Sequence, residues 1–186
     1  MKMNKLITID PEVSLKRLEM DDVTELFDLI QKNKNYLRQW MSWADSTKTP
    51  EDIKEFIQKT IDQFEKSLGP QFVIIVKKSI VGVIGFHPID KANHIAEIGY
   101  WLTEDQQGNG IMTNCCKVLI KHAFENLNIN RLQIPAAEHN TKSRSIPERL
   151  GLQFEGILRE RENLYGNFVN HAMYSMLKSE YDKKDF

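Results

Sequence analysis

Glu104-Asp105-Gln106-Gln107-Gly108-Asn109-Gly110-Ile111-Met112-Thr113, entered from the apolar run Ile98-Gly99-Tyr100-Trp101-Leu102, is the stretch on which the fold of this chain turns. The run ahead of it is strand-like and the residues after it repeat with a helical period, so the two glycines stand where a loop enters a helix. Glycines one residue apart at such a place let a ligand approach the backbone and leave several amide N–H groups without helical partners. The helix dipole adds about half a positive charge there, which makes the turn an anion site suited to a phosphate or pyrophosphate. Two better-known phosphate loops do not fit. A Walker loop needs Lys-Ser/Thr after its last glycine, where this chain has Ile111-Met112. A dinucleotide fingerprint needs a third glycine or alanine where Thr113 stands, and an acid about twenty residues further on.

On either side of this turn the chain alternates strands and helices. Strand patterns cover residues 13–18, 72–76, 80–86, 96–102, 131–136, 154–158 and 171–177, the second and third joined by a tight turn at Lys77-Lys78-Ser79. Asp21 and Asp22 open a helix with Val23, Leu26, Phe27 and Ile30 on one face. Thr49-Pro50-Glu51-Asp52 starts another, with a threonine cap, a first-turn proline and first-turn acids, and Gly69-Pro70 stops it. A third helix follows Gly110 to near Asn126. A fourth runs from Asn140 to Leu150, with Pro147 expected to confine its early part to a turn, because Pro147 cannot donate to the Ser143 carbonyl. Gly99 within its strand marks a bulge or a close approach to the backbone. Pro135 needs a solvent-facing, bulged or open position in the sheet. The result is an α/β fold with a mixed sheet.

At 186 residues the chain is expected to form one domain, residues 1–186, with 41% hydrophobic and 27% charged residues typical of a globular protein. A net charge of -1 argues against non-specific nucleic-acid binding. The two cysteines, Cys115 and Cys116, are helical neighbours pointing in different directions, so they are expected to be a core and a surface thiol in a reduced protein rather than a disulfide. Residues 1–11 have no signal-peptide character. The longest apolar run, residues 80–86, is too short to span a membrane, so a cytoplasmic location is expected. The five histidines show no metal-ligand spacing.

Gly99-Tyr100-Trp101-Leu102, then Gln107-Gly108-Asn109-Gly110-Ile111-Met112-Thr113, with Asn140-x-x-Ser143 and Ile146-Pro147-Glu148-Arg149-Leu150-Gly151-Leu152, resembles the GNAT acetyltransferase superfamily, and in particular its RimL/RimJ branch. Asp105 stands where the superfamily pattern has Gln or Arg, and Asn170 where its last hairpin has Asp. The resemblance spans residues 12–178. It implies a three-layer fold whose splayed sheet of six to seven strands is flanked by helices, acetyl-CoA as co-substrate, no metal, and direct acetyl transfer to a primary amine. In the RimL/RimJ branch that amine is a protein N-terminus, ribosomal proteins included. A small-amine acetyltransferase for polyamines or antibiotics, or a non-catalytic acyl-CoA sensor, is the alternative. A homodimer is compatible with the aromatic connector at residues 36–43 and with the last hairpin.

Carried onto this chain, the resemblance puts the pyrophosphate on the backbone of Gln107, Gly108, Asn109, Gly110, Ile111 and Met112, with Thr113 adding a hydroxyl. The pantetheine arm would pair with the backbone of Tyr100, Trp101 and Leu102 and with Asn140, and a backbone N–H within residues 98–100 would serve the thioester oxygen. Glu97, on the same strand, is the candidate general base, with His87 and His94 as rivals. An α-amine, of pKa about 7.7–8.0 against about 10.4 for lysine, asks little of any base. Ser143 is the candidate partner of the departing thiolate and otherwise a helix-start residue. Trp40, Met41 and Trp43 are candidates for the acceptor wall, or else for core packing against the two early helices.

Overall fold

The computed structural model describes residues 4–184. β1 (Leu6–Thr8) and β2 (Val13–Arg17) lead into α1 (Val23–Lys32), α2 (Lys34–Leu37) and α3 (Pro50–Glu65). β3 (Gln71–Val76), β4 (Ser79–Phe86) and β5 (Ile95–Leu102) follow, then α4 (Ile111–Asn126), β6 (Arg131–Ala137) and α5 (Thr141–Arg149). β7 (Gln153–Leu164), β8 (Asn167–Leu177) and α6 (Lys178–Tyr181) complete the chain. The sheet has eight strands in the order β1-β2-β3-β4-β5-β6-β8-β7. That is one more than the sequence patterns supply. β1 spans three residues, too few to show an alternation, yet Ile7 packs on the core.

Both faces of the sheet are covered. Phe72 and Ile74 of β3 join Leu119, Ile120 and Ala123 of α4 in one cluster, while Val73 between them joins Leu26 and Ile30 of α1 and Ile53 and Ile57 of α3 on the other side. Burial on two faces is why β3 and β4 read as continuous apolar runs. α3 begins as its sequence dictates: Thr49 and Asp52 form a reciprocal capping box, and Asp52 Oδ2 accepts the Thr49 N–H at 2.8 Å.

β5 and β6 form the parallel pair of the sheet, and they touch only from Ile95↔Arg131 to Glu97↔Gln133. Beyond Glu97, β5 continues antiparallel with β4 as far as Leu102, while β6 continues antiparallel with β8 as far as Ala137. The sheet therefore forks at Glu97. His87 N–H donates to Glu97 C=O and Thr103 N–H to Val81 C=O, so on the strand alternation Tyr100 presents its backbone N–H and C=O to the fork. In β6 the even-numbered residues face β8, since Lys178 N–H bonds Asn130 C=O and Glu138 N–H bonds Asn170 C=O. The missing N–H of Pro135 thus falls on the open side, where it costs no ladder bond.

Several expectations need correcting. Gly99 is not bulged: it pairs in regular register with Gly85, and what approaches it is the His87 ring, whose Nε2 would lie 2.7 Å from an added Cβ. α5 is helical from Thr141 despite Pro147. β7 runs past residue 158 to Leu164, bending at register shifts near Gly156 and Glu160, whose φ angles are 136° and 51°. Cys115 and Cys116 are both buried because each side of α4 meets apolar neighbours. Burial pushes the Cys115 thiol up to about 12 and Cys116 well above its ordinary value, so both remain protonated. Asn170 accepts the Glu160 N–H and donates to Glu138, ties that hold the hairpin.

Candidate active site

A cavity of about 900 Å³ opens at the fork. Glu97, Tyr100 and Trp101 from β5, Pro135 to Ala137 from β6, and Asn140 and Ser143 at the start of α5 line its inner side. Trp40, Met41, Ser42 and Trp43 from the connector after α2, with Arg161, Glu162 and His171 from the last hairpin, line the other.

Glu97 stands at the point of divergence, its side chain 21% exposed. Gln133 Nε2 donates to Glu97 Oε2 at 2.8 Å, and His87 Nε2 lies 3.8 Å from Oε1. His94 is elsewhere: its Nδ1 meets Asn128 C=O at 2.8 Å in a turn of positive φ, so it is a turn residue outside the cavity. Ser143 Oγ donates to the Tyr100 hydroxyl at 3.3 Å, and that hydroxyl donates to Ser143 C=O at 3.2 Å. Asn140 Oδ1 caps α5 by accepting the Ser143 N–H at 3.1 Å. The cap occupies its oxygen and leaves the amide NH₂ for other partners.

The glycine turn lies outside the cavity proper, beyond the outer end of β5. Gly108 and Gly110 have φ of 81° and 75°, and a Cβ on either would meet no atom within 4 Å. Side-chain crowding does not explain these glycines; the left-handed backbone does, and it leaves the turn open to a ligand. The first bond of α4 runs from Asn114 N–H to Gly110 C=O, so the N–H groups of Ile111, Met112 and Thr113 have no intrahelical partner. Ile111 and Met112 turn their side chains into the core, which fixes those amides in place. Gln107 is held on three sides: its Nε2 donates to Tyr36 Oη at 2.5 Å and lies 3.5 Å from Leu102 C=O, and Lys142 Nζ donates to its Oε1 at 3.1 Å. Arg149 donates to Thr113 Oγ1 at 3.1 Å, and Asn109, exposed, donates to Gln106 C=O.

Trp40, Met41 and Trp43 line the cavity, and Met41 and Trp43 also pack against the core, with Trp43 6.0 Å from Trp101 between ring centroids. Sequence reasoning missed a polar cluster facing it. Glu162 accepts from Ser42 Oγ at 2.8 Å and lies 3.0 Å from His171 Nε2, and these two hold its carboxyl below the ordinary range, His171 foremost. The alternating charges of Arg159-Glu160-Arg161-Glu162 were the available signal for a strand that points every second side chain one way. Among the described residues, no group of three His, Cys, Asp or Glu is placed to hold a metal, and no helix is long and apolar enough to cross a membrane.

The overall fold is shared with known proteins. Residues 12–153 match the acetyltransferase (GNAT) domain family. This chain belongs to the GNAT acetyltransferases. It is similar to a putative ribosomal N-acetyltransferase, YdaF, of Bacillus subtilis (strain 168), with 35% identity covering 94% of this chain and 96% of that one. Among solved structures, the microcin C7 self-immunity acetyltransferase MccE in complex with acetyl-CoA and AMP superposes with a TM-score of 0.89 at 31% identity, covering 95% and 98%. RimL, a ribosomal L7/L12 α-N-protein acetyltransferase in complex with coenzyme A, superposes at 0.88 with 27% identity, covering 92% and 97%. The protein is thus an acetyl-CoA-dependent N-acetyltransferase that needs no metal.

Proposed function

We propose that the acceptor is the α-amino group of a protein N-terminus, of the ribosomal-protein type. The observation that carries this reading is the fork at Glu97: one broad cavity there is lined both by the diverging strands and by the aromatic connector, so a thioester and an amine can meet beside β5. The names of YdaF and RimL support the same class. Acetyl-CoA fits the residues present, because the amides of residues 108–113 are free to cradle an anion, the Gln107 N–H being taken by Glu104 C=O at 3.3 Å, and unpaired backbone faces the slot between the diverging strands. Its thioester supplies the acetyl group.

In this reading the amides of residues 108–112 and the Thr113 hydroxyl hold the pyrophosphate. The backbone of Tyr100 to Leu102 and the Asn140 NH₂ align the pantetheine arm. The Tyr100 N–H faces the slot and serves the thioester oxygen. Glu97 takes the proton of the attacking amine, with His87 on its solvent side. Glu162 adds a second negative charge that draws an ammonium group into the cavity. As the N–C bond forms and the C–S bond breaks, the Ser143 hydroxyl donates a hydrogen bond to the departing thiolate.

A small amine carrying a flat ring is a second reading, favoured by the three indoles, Trp40, Trp43 and Trp101, at the acceptor cavity. The similarity to MccE, solved with AMP, points the same way. Thiol release from acetyl-CoA against N-terminal peptides, lysine peptides, polyamines and aminoacyl nucleotides decides between them. N-terminal peptides should turn over fastest, and activity confined to nucleotides or polyamines would replace the protein acceptor by a small one.

A further inference from the structure

Pro147 lies inside α5 and has no N–H to give to the carbonyl four residues back, which is that of Ser143. That carbonyl is not left without a partner. The Tyr100 hydroxyl reaches it from β5 and donates at 3.2 Å, and the Ser143 hydroxyl donates in turn to the same phenolic oxygen at 3.3 Å. Asn140 Oδ1 independently fixes the Ser143 N–H. Ser143 is therefore held at its amide, its carbonyl and its hydroxyl, two of the three by a single phenol. Both side chains edge the cavity on its α5 side. Burial raises the pKa of the Tyr100 hydroxyl, which keeps it a neutral donor.

We propose that Tyr100 is a positioning residue for Ser143: its hydroxyl, seated on the carbonyl that Pro147 leaves open, selects the Ser143 rotamer from which Oγ–H can turn to the leaving sulfur. The proposal rests on the role given to Ser143 above. A free serine hydroxyl samples three staggered wells, and the phenol holds it in one. A serine hydroxyl is a far weaker acid than a thiol of pKa about 8.5, so Ser143 keeps its proton and contributes a hydrogen bond. Before transfer that bond goes to Tyr100. As the C–S electron pair moves onto sulfur, the thiolate becomes the stronger acceptor and the bond passes to it, while Glu97 holds the proton taken from the amine. Tyr100 stays anchored to the carbonyl throughout, so Ser143 moves only its hydroxyl.

The test is a double-mutant cycle on kcat with acetyl-CoA and one fixed amine, using Tyr100→Phe, Ser143→Ala and the pair, with thermal midpoints measured on the same samples. Tyr100→Phe should lower kcat roughly fivefold to tenfold, the net worth of about one hydrogen bond, and leave the KM for acetyl-CoA little changed. In the Ser143→Ala background the same change should do nothing further. An undiminished effect of Tyr100→Phe in that background would overturn the proposal, as would a loss of kcat that merely follows a loss of folded protein. Ser143→Ala at wild-type kcat would remove the Ser143 role itself, a separate failure that takes this inference with it. Pro147→Ala supplies a competing N–H to the Ser143 carbonyl and should slow turnover without lowering the amount of folded protein. Wild-type kcat in that variant would refute the part assigned to Pro147.

Discussion

Replacing Gly110 tests the anion turn most directly, because the structure separates the backbone cost from the effect on the ligand. Gly110 caps α4 at φ 75°, and an added Cβ would meet nothing within 4 Å. Gly110→Ala therefore carries no packing penalty. Its cost is the left-handed conformation alone, about 1–2 kcal/mol, which in a chain of this size lowers the melting temperature by about 2–8 °C. Gly166, at the tip of the hairpin between β7 and β8 with φ 90° and equally open surroundings, carries the same cost on a different element, so it serves as the control. Gly110→Glu adds a carboxylate where a phosphate would sit. Two unit charges about 4 Å apart at an effective dielectric near 20 repel by about 4 kcal/mol, which is roughly 10³-fold in Kd. Calorimetric titration of coenzyme A should show that loss for Gly110→Glu, partly recovered in high salt, and no loss for Gly166→Glu at the same change in melting temperature. Coenzyme A binding to Gly110→Glu within about threefold of wild type would refute the anion-turn reasoning, since even 1 kcal/mol of repulsion exceeds that.

Glu97→Gln keeps an oxygen to accept from Gln133 Nε2, so the fork should stay folded; kcat/KM for an N-terminal peptide should fall about 10²-fold near pH 6.5 and recover as the pH passes the amine pKa near 8. Running Glu162→Gln through the same pH series shows which carboxylate takes the proton: a low-pH loss confined to that variant would transfer the base role to Glu162. Arg131, first, and Ser175 hold the Glu155 carboxyl down to about 2 from 4.5, so its stabilisation is complete above about pH 4.5 and fades as the pH falls toward 2. With the side chain 35% exposed, screening leaves about 1 kcal/mol of that, and Glu155→Gln should lower the melting temperature by about 2–4 °C at pH 7, with the gap closing as the pH falls from about 4.5 toward 2. A gap that does not change with pH would remove the ion pair as its cause.

What could be read from the sequence was what neighbouring residues decide among themselves. The capping box of Thr49 and Asp52 and the glycine turn before α4 are local events, and each lies where its residues put it; α3, by contrast, ends at Glu65, short of the expected stop at Gly69-Pro70, with Ser67 already in the left-handed conformation. The two-faced burial of β3 and β4 was visible as unbroken apolar runs. β1 was not visible, because three residues carry no period and only pairing with β2 makes them a strand. The far half of β7 was hidden for a related reason: its charged residues are strand residues only because β8 lies beside them.

The sequence alone determined the helix starts, the glycine turn and the presence of a carboxylate on the strand that leads to it, since all of these rest on residues within a few positions of one another. The tertiary structure decided what those groups do together. It opened the sheet at Glu97 by sending β5 toward β4 and β6 toward β8, and it laid a connector and a hairpin against each other so that Ser42 meets Glu162 across 120 residues of chain. It also set the Tyr100 hydroxyl on the one carbonyl that Pro147 cannot serve. No local pattern encodes such contacts, because each is a distance between segments that only the packing of the whole sheet brings together.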